Sequence, residues 1–138
     1  MKIKTLGNWA EQRALDILRQ HGYVEVTKNF HSRYGEIDVI VADAESLIFV
    51  EVKARAYRAQ VSAVESIGIA KQKKLMKTAL VFLQKFPQYH QFYCRFDVMG
   101  FDFQEQFSKN SVDLLTNAHY ELQWIENAFT FDVEFINL

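Results

Sequence analysis

Apolar positions along this chain follow two different periods, and the switches between them mark out the elements. Between residues 6 and 21, Ala10, Ala14, Ile17 and Leu18 recur mostly three and four apart. That spacing predicts one face of a helix, and Gly22 follows where helices commonly end. Residues 24–30 form a short β-prone run. Residues 36–42 and 47–53 are rich in Val and Ile and flank Asp43-Ala44-Glu45-Ser46, which predicts a hairpin. Residues 54–66 have no clear period and predict a loop. Helical spacing returns over residues 69–86, with Ile69, Leu75, Met76, Ala79, Leu80, Leu83 and Phe86 expected inward. Lys71, Lys73, Lys74 and Lys77 fall on its flanks and outer face, and Pro87 closes it. Residues 92–103 are a long aromatic β-type run. Residues 104–118 are polar and predict an irregular excursion, and residues 120–129 predict a strand end followed by a short helix. The order predicts a single α/β domain over 1–138 with a central sheet flanked by helices. Its core spans about 7–129, and 130–138 form a C-terminal extension.

The hairpin carries the candidate chemistry. A two-residue loop at Ala44-Glu45 sets Ala42 opposite Leu47, Ile40 opposite Phe49, Asp38 opposite Glu51 and Glu36 opposite Lys53. Side chains alternate along a strand, so Glu36, Asp38, Glu51 and Lys53 project from one face and Ile37, Val39, Val41, Ile48, Val50 and Val52 from the other. Directly opposed carboxylates repel, and a nearby cation removes that penalty. Mg²⁺ fits, because it takes oxygen ligands and commonly uses one or two carboxylates plus substrate phosphate. Glu11 lies on or beside the helix stripe that packs on the sheet, where a carboxylate is costly to bury without compensation. Lys53 brings a positive charge to Glu51's face. The alternative is a set of solvent-facing pairs: Glu36–Lys53 worth well under ~1 kcal/mol, and Glu11 as a first-turn acid favoured by the helix dipole. Both readings stand at this point.

Composition narrows the partners. The 138 residues include one cysteine, Cys94, which excludes an internal disulfide and a Cys-rich metal site. His21, His31, His90 and His119 are too far apart for a compact His pair. Residues 1–8 lack the apolar run of a secretory signal, and no stretch approaches ~20 apolar residues, so a cytoplasmic protein with no membrane partner is expected. The net charge of −1 conceals an uneven distribution: residues 50–96 carry nine basic and two acidic side chains, residues 97–138 one basic and eight acidic. Such a chain can present a positive face while staying near neutral; the plainer reading is the solvated side of one helix.

The segments Gly35-Glu36-Ile37-Asp38 and Phe49-Val50-Glu51-Val52-Lys53-Ala54-Arg55, with Glu11 in the preceding helix, resemble the PD-(D/E)XK pattern of restriction-endonuclease-like nucleases. The match is to the YraN-like family of small bacterial proteins. Tyr23, Asn29, Lys71-Gln72, Arg95-Phe96-Asp97 and Trp124-Ile125-Glu126-Asn127-Ala128-Phe129 follow the same family in order. Holliday junction resolvases of the archaeal type are similar in the spacing of the four site positions. The family usually has threonine at Ala54 and a Phe-Gly pair where Arg58-Ala59-Gln60 stands, and residues 104–118 look like an insertion. The resemblance implies a restriction-endonuclease-like fold with a central mixed sheet. It also implies a nuclease acting on DNA more readily than RNA, structured or branched forms included. Asp38 and Glu51 would bind Mg²⁺ or Mn²⁺, with the Val52 carbonyl as a further ligand, and Glu11 would complete the acidic cluster. Lys53 would act on the attacking water. Arg33, Arg55, Arg58, Lys71, Gln72 and Lys74 would contact nucleic acid. A non-catalytic nucleic-acid-binding module with the same fold is the alternative. A third reading is an interaction protein that docks a partner through Phe101, Phe103, Phe107, Trp124, Phe129, Phe131 and Phe135, although aromatics mostly build cores. Residues 131–138 could form an edge strand supporting a homodimer.

Overall fold

In a computed structural model, residues 6–55, 61–103, 120–132 and 134 are described. The elements run α1 (Leu6–Gln20), β1 (Val24–Ser32), β2 (Gly35–Ala42), β3 (Ser46–Arg55), α2 (Ile69–Lys85), β4 (Tyr93–Phe103) and β5 (Tyr120–Phe129), with a 3-10 turn at Pro87–Tyr89. The five strands form one sheet in the order β1-β2-β3-β4-β5. Among the described residues, only β3 and β4 pair in parallel. A parallel pair needs a long crossover, and α2 is that crossover. The result is the expected α/β architecture: a mixed central sheet with one helix on each side, consistent with a restriction-endonuclease-like fold.

Each face of the sheet buries its own cluster. Ala10, Ala14, Leu15, Ile17 and Leu18 of α1 pack on Val39, Val41, Ile48, Val50, Met99, Phe101 and Phe103. On the other face, Leu75, Met76, Ala79 and Phe82 of α2 pack on Ile37, Ile40, Ala42, Leu47, Phe49, Phe96 and Val98. Gly22 ends α1 with φ +91, and Tyr23 N–H returns to Leu18 O, a left-handed closure that glycine adopts without steric cost.

Several expectations need correction. The interior side of α2 is Leu75, Met76, Thr78, Ala79 and Phe82, whereas Ile69 and Phe86 are exposed to 56% and 36%. These two sit at the helix ends, where the sheet no longer lies beneath them. Residues 120–129 form one continuous strand with no helix. Its register against β4 slips between Phe96 and Val98, near Asn127 with φ +52, and that slip spoils the two-residue alternation. Phe131, Asp132 and Glu134 are not in a strand; the rest of the expected edge strand, residues 104–118 and Phe107 and Phe135 lie outside the described residues. Phe101, Phe103, Trp124, Phe129 and Phe131 all pack in or against the two clusters, as core residues do. Among the described residues, no helix is long and apolar enough to cross a membrane.

Candidate active site

The predicted hairpin register is present: Ala42 pairs with Leu47, Ile40 with Phe49 and Val39 with Val50. Asp43 Oδ1 accepts the Glu45 and Ser46 amides and locks the turn. The ladder stops after Val39–Val50. At the next position Asp38 Oδ2 accepts the Val52 amide at 2.8 Å, so a side chain replaces the main-chain partner and the two strands fork. Glu36 and Lys53 do not face each other across a ladder; Glu36 Oε2 instead lies 3.2 Å from His31 Nδ1 on β1.

The fork changes which way side chains point. Val39 and Val41 face α1, but Ile37 joins Ile40 and Ala42 on the α2 side. Simple alternation, which placed Ile37 with Val39, fails here. The neighbouring strand is irregular at the same level: Lys28 pairs with Val39 and Phe30 with Ile37, and between them Asn29 takes φ +52. Asparagine tolerates that left-handed conformation better than most residues. The flip puts Asp38 within electrostatic reach of acids from both faces.

Those acids are Glu51 and Glu11. Glu51 is only 4% exposed. Burial, then a hydrogen bond shared with Asp38, then the Asp38 charge push its carboxyl up to about 8, outweighing the opposing pull of Lys71 and Lys53. Lys71, in the first turn of α2, places Nζ 3.3 Å from Glu51 Oε2. Lys53 is half-buried two residues along the same strand. Glu11 occupies the second turn of α1, not its first, so the helix dipole does not account for it. Its carboxyl is raised by burial and then by the Asp38 charge, with a hydrogen bond from Asn29 acting against both. Desolvation and mutual repulsion both disfavour the ionised form, and such shifts gather where chemistry is carried out. Asp38 and Glu51 are the pair that could hold a divalent ion. Among the described residues, no three Asp, Glu, His or Cys side chains form a ready protein cage for one.

The remaining candidates are dispersed. Arg33 is exposed at the β1–β2 turn and donates to Tyr34 Oη. Arg55 forks onto Asp102 with two bonds of 2.7 Å and also donates to the Val61 carbonyl; this pair ties β3 to β4. Gln72 donates to Ile67 O, Lys74 is exposed on α2, and Arg58 lies outside the described residues.

Sequence reasoning assigned no role to Asn29 or to Asp97. Asp97 is fully buried and accepts from Arg95 Nε and Nη2, Trp124 Nε1 and the Asn127 amide. It fills the gap where the β4–β5 register slips. Asn29 and Asn127 are the two non-glycine residues with positive φ among those described. An asparagine interrupting an apolar strand is the signal that could have located both irregularities.

Comparison with known proteins places the chain. The model of the uncharacterised protein family UPF0102 matches residues 10–101, more than half its length. A UPF0102 protein of Acinetobacter baumannii (strain AYE) is 52% identical over 127 residues, covering 92% of this chain and 96% of the relative. One from Alcanivorax borkumensis is 40% identical over 126 residues, 91% and 92% of the two chains. One from Clostridium botulinum is 37% identical over 115 residues, 83% and 94%. The chain belongs to the uncharacterised family UPF0102, in agreement with the YraN-like motifs it carries.

Proposed function

We propose that this protein is a metal-dependent nuclease that hydrolyses phosphodiester bonds in DNA. The observation that carries the reading is the fork between β2 and β3, where Asp38 accepts the Val52 amide beside the buried Glu51 and Lys71 Nζ lies 3.3 Å from the Glu51 carboxylate. Hard carboxylate oxygens drawn together at a desolvated site suit Mg²⁺ or Mn²⁺, which keep several waters and need few protein ligands. A third protein ligand is therefore unnecessary, and Glu11 acts on the site through its charge or a bridging water.

When bound, such an ion supplies polarisation of a phosphoryl oxygen and a lowered pKa for its water. Asp38 and Glu51 hold it. Lys53 positions the attacking water and offsets charge that builds on the phosphoryl oxygens. Lys71 stands against Glu51 before substrate arrives, and then turns to a substrate phosphate. The exposed Arg33 and Lys74 contribute sequence-independent, salt-sensitive contacts. The family match supports the relationship among these chains, and the nuclease assignment rests on the PD-(D/E)XK-like motif together with the arrangement of these side chains.

One observation favours a second reading, a nucleic-acid-binding module without catalysis. The Lys71 ammonium already stands against Glu51, so the acids have a cation without any metal. The test treats both. Supercoiled plasmid, linear duplex, single strand and four-way junction are incubated with Mg²⁺ or Mn²⁺, and metal binding is followed by Mn²⁺ electron spin resonance. Cleavage and Mn²⁺ binding are expected for the wild type and loss of cleavage in Asp38→Ala, Glu51→Ala and Lys53→Ala with unchanged circular dichroism. Metal-independent DNA binding with every substrate uncut would replace the nuclease by the binding module.

A further inference from the structure

A groove of about 450 Å³ lies between the β1–β2 turn and one flank of α2, lined by His31, Arg33, Tyr34, Lys77, Val81 and Lys85 among others. Its basic residues are gathered by aromatic rings and not by acids. The Arg33 guanidinium lies 4.9 Å from the Tyr34 ring centre and Lys77 Nζ 5.4 Å from the same centre. Lys85 Nζ lies 5.8 Å from the Phe30 ring. No carboxylate lines the groove among the described residues, and none forms an ion pair with Arg33, Lys77 or Lys85 there. Glu36 lies outside the lining, engaged by His31.

Two cations held around one ring repel each other, and cation–π attraction at an exposed site offsets only about 1 kcal/mol of that. An anion in the groove would offset more. The walls are also fixed in place. Ser32 Oγ and Thr78 Oγ1 are 2.8 Å apart, Thr78 is fully buried, and a Cβ added at Gly35 would lie 3.8 Å from Lys74 Cβ. The turn that carries Arg33 and Tyr34 is thus clamped to α2.

Direction identifies the anion. Lys74, Lys77, Val81 and Lys85 recur at three and four residues, so they share a flank of α2, and Lys71 at the head of the helix touches Glu51. From Lys71 to Lys85 the helix rises about 21 Å at 1.5 Å per residue. Along the axis of B-form DNA each strand advances ~3.4 Å per phosphate, so a duplex lying with its axis along this track advances roughly six phosphates. We propose that the groove is a distal backbone subsite, holding the nucleic-acid strand about six phosphates from the site of cleavage. The proposal rests on the nuclease reading and extends it to a residue set outside the catalytic cluster.

The test is fluorescence anisotropy with a labelled 20-base-pair duplex, with Ca²⁺ in place of Mg²⁺, over a salt series. It compares wild type with Lys77→Gln/Lys85→Gln and the milder single variant Lys85→Gln. The double variant is expected to bind at least tenfold more weakly. Its slope of log K against log salt should fall by about two, near 0.9 per phosphate contact, and hydroxyl-radical protection should shorten at one end only. If wild type cuts DNA but these variants match it in affinity, slope and footprint, the subsite is wrong and the nuclease reading stands. If wild type binds no nucleic acid yet binds polyglutamate or anionic vesicles through these lysines, the subsite and the reading both fall.

Discussion

Replacing Glu51 by glutamine should make this protein more stable than the wild type at neutral and alkaline pH while removing its metal response. Glutamine keeps the volume, and its amide can donate to Asp38 as the protonated carboxyl does. What it removes is the cost of ionising a group that is 4% exposed beside Asp38. In the folded protein Glu51 has its pKa raised from 4.5 to about 8. The native state therefore binds the proton more tightly than the unfolded chain. The stabilisation is complete below about 4.5 and is lost as pH rises through about 8. At 1.36 kcal/mol per pH unit, the wild type loses roughly 3 kcal/mol from this group by pH 7 and up to about 5 kcal/mol by pH 9. Glutamine also forfeits the contact with Lys71, whose side chain is 43% exposed, a loss of under about 1 kcal/mol. Urea unfolding at pH 4, 7 and 9 should thus show the stability difference, variant minus wild type, rising by several kcal/mol across the series. The Glu11 carboxyl is raised too, but it is present in both proteins and largely cancels. Mg²⁺ at ten times its Kd should add about 1.4 kcal/mol to the wild type and nothing to the variant. Parallel pH profiles for the two proteins would refute the claim that Glu51 is a desolvated acid held against Asp38.

Two further predictions concern the scaffold. Asp97→Ala leaves Arg95, Trp124 Nε1 and the Asn127 amide without their common acceptor, and loss of one partner in a buried charged network costs about 3–5 kcal/mol. Chemical denaturation measures it, and a cost below about 1 kcal/mol would show that β5 holds its register without the carboxylate. At Gly100, an added Cβ would lie 2.5 Å from Ala63 Cβ. Gly100→Ala should therefore cost about 1–3 kcal/mol as overpacking and loosen the Ala63 N–Gln123 Oε1 bond. Faster amide exchange at Ala63 would report this; unchanged exchange and melting temperature would count against the packing described.

Both helices and the first four strands were legible because their signals are local. Val39, Val41, Ile48 and Val50 repeat every two residues, Ala10, Ala14 and Leu18 every three or four, and each period reflects the geometry of a single element. The hairpin register from Val39–Val50 to Ala42–Leu47 followed from two-residue loop length. β5 was misread because Asn127 interrupts its alternation, and a strand without its period resembles a helix end. Ile37 was misplaced for the same reason, with the irregularity on the neighbouring strand at Asn29.

By itself, the sequence determined both helices, the first four strands and the hairpin pairing, because these depend on backbone periods and short loop lengths. Tertiary structure alone decided that Lys71 of α2 meets Glu51, that Asp38 takes the Val52 amide, and that Glu51 is desolvated. Arg55 turned inward to Asp102, while Arg33, Lys77 and Lys85 gathered around one groove. Burial and charge coupling depend on distances between elements far apart in the chain, and no local pattern encodes those distances.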